Sequence, residues 1–208
     1  KCGIIERALE LSSIKDNKDM KKSDGKKQNR LRGVPKLEDA NWAGGAKSAE
    51  CTLILTEGDS AKTMAMTGLG IIGRNKYGIF PLKGKLLNVR DIKNITKLLE
   101  NDEINNIKKI MGLQANKMYS NISELRYGRI LVLTDQDEDG SHIKGLLFNL
   151  FQSLWPTLFK YPGFLTGMLT PIVKAKKGKE SIDFYSVNDY ETWKEKNNDG
   201  KGYLCKYY

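Results

Sequence analysis

The sequence predicts an α/β fold: a mostly parallel sheet flanked by helices, followed by a C-terminal hairpin with α+β character. Three observations lead there. Two continuous apolar runs, Cys51–Thr56 and Arg129–Thr134, have the pattern of strands buried on both faces, as parallel sheets require. Each run passes through an acidic turn into a segment of helical spacing, which is strand–helix alternation. Near the C-terminus the pattern changes to two short strand-like stretches around Lys177-Gly178-Lys179.

From the N-terminus, Gly3–Leu11 spaces Ile4, Ile5, Ala8, Leu9 and Leu11 for a short helix. Lys15–Arg32 is rich in Lys, Asp, Asn and Ser with little to bury, and reads as a mobile basic linker. A loop with Pro35 and Gly44-Gly45 follows. Beyond the first buried strand, Ser60–Ile71 is helical and Tyr77–Leu82 is a strand stopped by Pro81. Ile92–Met111 is helical in two pieces. After the second buried run, His142–Phe159 is an apolar helix that Pro156 bends or ends. Thr170–Lys176 and Ser181–Val187 make the hairpin, and Asn188 caps a short helix carrying Tyr190 and Trp193. Leu204–Tyr208 is a last strand without an evident partner. The expected organisation is a helix and basic linker over 1–33, an α/β body over 34–176 and a hairpin–helix extension over 177–208. The chain starts at Lys1 and not at Met, which suggests a piece of something longer.

Composition narrows the class. With 39% hydrophobic residues the chain can build a core, and no stretch approaches the ~20 apolar residues of a membrane span. Cys2, Cys51 and Cys205 lie far apart with no CxxC pair, which argues against a disulfide framework or structural zinc and for an intracellular protein. A formal net charge of +10 favours a polyanionic partner.

Both buried strands end in acid. The first runs into Glu57-Gly58-Asp59, the second into Asp135-Gln136-Asp137-Glu138-Asp139-Gly140. Two carboxylates ~4 Å apart repel by about 4 kcal/mol at an effective dielectric near 20, a cost that a divalent cation removes. An all-oxygen donor set points to Mg²⁺ or Mn²⁺. An EF-hand is excluded, because its twelfth position counted from Asp135 is Leu146. A haloacid-type phosphatase is disfavoured by Asp139, which stands where that chemistry wants a hydroxyl residue. Gly68-Leu-Gly-Ile-Ile-Gly73 matches GxGxxG but ends a helix instead of joining a strand to one, so it reads as helix termination and tight turning. No GxxxxGK[ST] loop occurs.

Between Ser60 and Lys93 seven cations face a single acid, Asp91. Within that stretch Lys83-Gly-Lys-Leu-Leu-Asn-Val-Arg90 separates its first two cations by a glycine, so the backbone can approach a phosphate closely. An acidic metal site beside a cationic loop suits a nucleic-acid backbone held by cations while metal acts on one phosphodiester. His142, the single histidine, starts a helix directly after the acidic loop and is a candidate phosphate contact.

Three ordered motifs carry a resemblance: Thr52–Lys62 (TLILTEGDSAK), Phe80–Arg90 (FPLKGKLLNVR) and Leu133–Lys144 (LTDQDEDGSHIK). They resemble the Toprim (Rossmann-like) domain of type IIA DNA topoisomerases, and of the eukaryotic type more than the gyrase type. Arg32–Asn41 and Thr170–Lys174 extend the likeness over nearly the whole chain from about Arg30. The resemblance implies an ATP-dependent enzyme that cuts both strands of one duplex and passes another through. It implies that Glu57 and Asp135 hold one Mg²⁺, that Asp135 and Asp137 hold a second, and that Asp139 supports them; Mn²⁺ or Ca²⁺ could substitute. Lys83, Lys85 and Asn88 would lie against double-stranded DNA, with Arg90 and His142 as further contacts. It also implies a homodimer in the full-length enzyme, no membrane association, a nuclear location, ATP bound outside this segment, and a tyrosine nucleophile beyond it. Another Toprim enzyme, such as a primase or nuclease, and a non-catalytic DNA-binding module remain the alternatives.

Overall fold

The computed structural model describes residues 4–90 and 95–207; the start of the helix expected from Ile92 lies outside them. Helix α1 (Ile4–Lys22) precedes a long loop that crosses to β1 (Thr52–Glu57). Then come α2 (Gly58–Ile72), β2 (Tyr77–Leu82), α3 (Ile95–Leu99), α4 (Asp102–Met111) and β3 (Arg129–Leu133). Helices α5 (Glu138–Leu154) and α6 (Pro156–Phe159) lead to β4 (Leu165–Gly167). The chain ends with β5 (Val173–Lys177), β6 (Glu180–Phe184), α7 (Val187–Lys196) and β7 (Leu204–Tyr207).

The first four strands form one all-parallel sheet in the order β2-β1-β3-β4. Alternation along β1 divides its side chains between two packing layers. Leu53 and Leu55 join a large cluster with Ile104, Ile107, Ile130, Val132, Ile143 and Leu147, whereas Ile54 joins a small one with Leu69, Ile79 and Leu133. The small layer lies under α2, whose Met64, Ile71 and Ile72 stay exposed.

Several expectations are corrected. The linker expected over Lys15–Arg32 is helical as far as Lys22. Met20 is buried, and the buried Lys108 ammonium donates to the Met20 carbonyl and Ser23 Oγ and pairs with Asp24. The following residues are tied to the body too, with Gly25 N–H donating to the Leu113 carbonyl and Arg126 Nε to that of Gln28. Pro81 does not stop β2 but pairs within it opposite Thr56. Strand β2 is an edge, and among the described residues its outer backbone bonds only to Glu38, through reciprocal hydrogen bonds with Ile79; two residues on, the missing Pro81 N–H faces the same way. Gly68 and Gly70 lie inside α2, and only Gly73 caps it. The cap of α7 is Ser186, which accepts from Asp189 N–H, not Asn188.

The last strand does have a partner. β7 pairs antiparallel with β5, giving a second sheet in the order β6-β5-β7 packed on Tyr190 of α7. Because β5 belongs to this sheet, the C-terminal unit starts at or before Val173, ahead of the boundary expected at residue 177.

Candidate metal centre and basic loop

Strand register brings the two functional loops together. Glu57, the last residue of β1, is in register with Leu82 of β2, and Thr56 is in register with Leu133 of β3. Glu57 therefore sits between the basic loop that begins at Lys83 and the acidic loop that begins at Asp135. This is the carboxyl end of a parallel sheet, where ligand sites of such folds lie.

Glu57 is half-buried as a residue, but its Oε2 is shut off from solvent and has no hydrogen-bond partner. Burial first, then the negative charges of Asp137 and Asp135, raise its pKa above the ordinary carboxylate value; the Asp135 backbone N–H offsets this in part. Asp135, Asp137 and Asp139 are exposed. Asp137 caps α5, its Oδ1 accepting from Gly140 N–H at 2.7 Å. Gly140 is required for that turn, since a Cβ there would lie 2.0 Å from the Asp135 carbonyl oxygen. Asp139 is turned aside: its Oδ1 pairs with Lys85 Nζ at 2.7 Å, which lowers the Asp139 pKa and raises that of Lys85.

The predicted carboxylates are thus neighbours without forming a ready cage. Among the described residues no group of three acidic, His or Cys side chains is poised to hold a metal. Asp139 is taken by Lys85 and Asp137 by the Gly140 N–H, and like charges left without a cation repel. The donor set still fits a hard cation. It is all oxygen, one oxygen is buried and orphaned, and Mg²⁺ takes one or two carboxylates with waters and phosphate completing its shell.

In the basic loop Gly84 has φ of +106°, a backbone conformation that a side chain would strain, and it sets Lys83 and Lys85 on an exposed turn. Lys83 makes no ion pair among the described residues, whereas Lys85 is held by Asp139. Leu86 and Val89 anchor the loop in the main core cluster. Asn88 Oδ1 accepts from Arg90 N–H at 3.1 Å and from Asn149 Nδ2 at 2.6 Å. Arg90 and His142 are exposed, and His142 adds a lesser pull on Asp139.

Two residues of this site were not singled out from the sequence. Asn149 reaches the loop from the fourth turn of α5, and Glu103 reaches it from the first turn of α4. Both Glu103 carboxylate oxygens are buried without a hydrogen bond. Burial raises its pKa, and the Lys83 N–H and ammonium offset that. Helical spacing from Asp139 through His142 and Leu146 to Asn149 could have flagged the first. No local signal marks the second.

The Toprim domain family profile matches residues 52–164, and that of the C-terminal associated domain of Toprim matches 168–208. The chain belongs to the Toprim family. Along its entire length this Toprim chain is 53% identical to DNA topoisomerase 2 of Pisum sativum and 51% identical to DNA topoisomerase 2-beta of Homo sapiens. It spans only 14% and 13% of those proteins. Among solved structures, the topoisomerase II DNA-binding, cleavage and re-ligation domain of Plasmodium falciparum superposes with a TM-score of 0.78 at 55% identity. That match covers 87% of this chain and 25% of the other. The α/β Toprim fold expected from the motifs is the fold observed.

Proposed function

We propose that this Toprim chain is the metal-binding part of an ATP-dependent type IIA DNA topoisomerase of the eukaryotic type, acting on double-stranded DNA as a nuclear homodimer. The observation that carries the proposal is the placement of Glu57 between the acidic loop of β3 and the basic loop of β2. Identity above 50% to two DNA topoisomerase 2 proteins supports it.

Glu57, Asp135 and Asp137 would hold Mg²⁺, with Asp139 joining once released from Lys85. Divalent-ion chemistry here is neutralisation of the scissile phosphate and of the 3′ oxygen that leaves and returns. The chain's own groups bind and orient. Lys83 and Arg90, which make no ion pair among the described residues, offer cations to the flanking phosphates, Asn88 offers amide donors, and Lys85 can pass from Asp139 to DNA. Glu57, sealed from water on one oxygen, keeps a fixed donor at the end of β1. The tyrosine that forms the covalent link lies outside this segment, and so does the ATP site.

Double-strand cleavage by the full-length protein tests this reading. Linear DNA bearing covalently attached protein should appear on denaturing gels with Mg²⁺ and disappear on chelation. The 208-residue chain alone should form no adduct. A non-catalytic binding module would instead bind DNA equally well after chelation and after Asp135→Asn, and would never yield linear product.

A further inference from the structure

The basic loop is fastened to α5 at two points. Near its start, Lys85 pairs with Asp139 in the first turn of the helix. At its far end, Asn88 Oδ1 receives the Asn149 amide. The two anchors are ten residues apart, about 15 Å along the helix axis. Around these anchors, Leu86 and Val89 of the loop are buried in the same cluster as Ile143, Leu146 and Leu150 of α5. The helix that opens with the Asp137 cap thus carries the DNA-facing loop in register with the acidic site.

The chemistry of the Asn149 contact is specific. An amide presents one acceptor oxygen and two N–H donors, and its orientation follows its partners. Asn88 Oδ1 is taken twice, by Asn149 Nδ2 and by Arg90 N–H. Among the described residues the Asn88 N–H groups have no partner, so the donor end remains to offer, and donors are what phosphate oxygens accept. Asn149 is itself oriented from behind, its Oδ1 accepting from Ser153 Oγ at 3.3 Å. We propose that Asn149 is a positioning residue for DNA binding, which fixes the Asn88 amide with its N–H groups toward a phosphate.

The proposal rests on Asn88 touching DNA and is tested by a double-mutant cycle on the full-length protein. The readout is the dissociation constant for a short duplex at fixed salt without divalent cation. Asn149→Ala should weaken binding about 3- to 10-fold, the equivalent of one hydrogen bond. Asn149→Asp keeps the shape but can only accept, so the Asn88 amide must turn its N–H groups inward. It should weaken binding more than Asn149→Ala. In the Asn88→Ala background both substitutions should cause no further loss. A persisting Asn149→Asp effect there would mean simple charge repulsion, and additive losses would mean independent action; either result overturns the proposal. If Asn88→Ala weakens binding while both Asn149 variants bind as wild type, the inference fails but the role of Asn88 stands. If Asn88→Ala itself binds as wild type, the reading of Asn88 fails and takes the inference with it.

Discussion

Glu57 and Glu103 face the same problem in opposite surroundings. Each is a half-buried glutamate with carboxylate oxygen sealed from water and no hydrogen-bond partner, and burial raises the pKa of both. Around Glu57 the next influences are Asp137 and Asp135, which push its pKa further up. Around Glu103 they are the Lys83 N–H and ammonium, which pull it down. An unpartnered buried carboxylate is costly in either place. Lys83 counters Glu103, whereas the largest charge influences on Glu57 are the anions Asp137 and Asp135, and the nearby Lys85 is engaged by Asp139. That contrast supports Glu57 as the proposed ligand for a cation from outside the chain.

The largest effect that could break this contrast is at Glu57. In the full-length enzyme Glu57→Gln should lower DNA cleavage by ~100-fold or more, since a direct ligand matters at least as much as the outer-shell partners whose loss costs 10–100-fold. In the metal-free chain the same change should leave the melting temperature equal or higher, because it removes a buried, repelled charge. Normal cleavage by this variant would end the metal assignment.

Asp137→Asn comes next. Asparagine caps a helix as well as aspartate does, so the Gly140 contact and the stability of α5 should survive. Cleavage should still collapse at low millimolar Mg²⁺, as the proposed metal site loses a ligand. Unimpaired cleavage with an intact fold would leave Asp137 as a cap and nothing more.

The basic loop supplies a smaller, graded test. Replacing both Lys83 and Lys85 by Ala should flatten the log-log salt dependence of DNA binding by about 2 units, nearly independently of base sequence. Lys83 makes no ion pair among the described residues, although it acts on Glu103, and Lys85 is tied to Asp139. A change of only about 1 unit would show that Lys85 stays with Asp139 when DNA binds.

These sites differ in how far the sequence reveals them. β1 and β3 were legible because burial on both faces leaves an unbroken apolar run, and their terminal acids because a dense acidic block contrasts with it. β4 was missed, since Leu165-Thr166-Gly167 is too short to carry a pattern. The length of α1 was missed because its second half is polar, and its support comes from Lys108, 88 residues away from Met20. Asp39 is a similar case. Its stretch, Arg32–Asn41, stands out in the sequence only as part of the family likeness, yet the Asp39 carboxylate receives both the buried Arg126 guanidinium and the Tyr127 hydroxyl. Glu103 and Asn149 likewise acquire their roles only when α4 and α5 pack against the loop. Local chemistry was readable, and long-range partnership was not.

The smallest effect separates the two glutamates by pH. The folded chain holds Glu103 above its ordinary pKa of 4.5, so it retains a proton that the unfolded chain releases. Where the native state binds more protons, stability falls as pH rises. The loss begins near the unfolded value and is complete once pH has passed the raised folded value. Glutamine cannot ionise, so Glu103→Gln should escape it. Melting temperatures of the wild-type and Glu103→Gln chains, measured without divalent cation from mildly acidic to neutral pH, should diverge in favour of the variant and then run parallel. Glu57 contributes a slope of the same sign, but it is common to both chains and cancels in their difference. A wild-type-to-variant gap that does not change with pH would mean that Lys83 fully compensates the Glu103 charge. The two carboxylates would then differ more sharply than burial alone suggests.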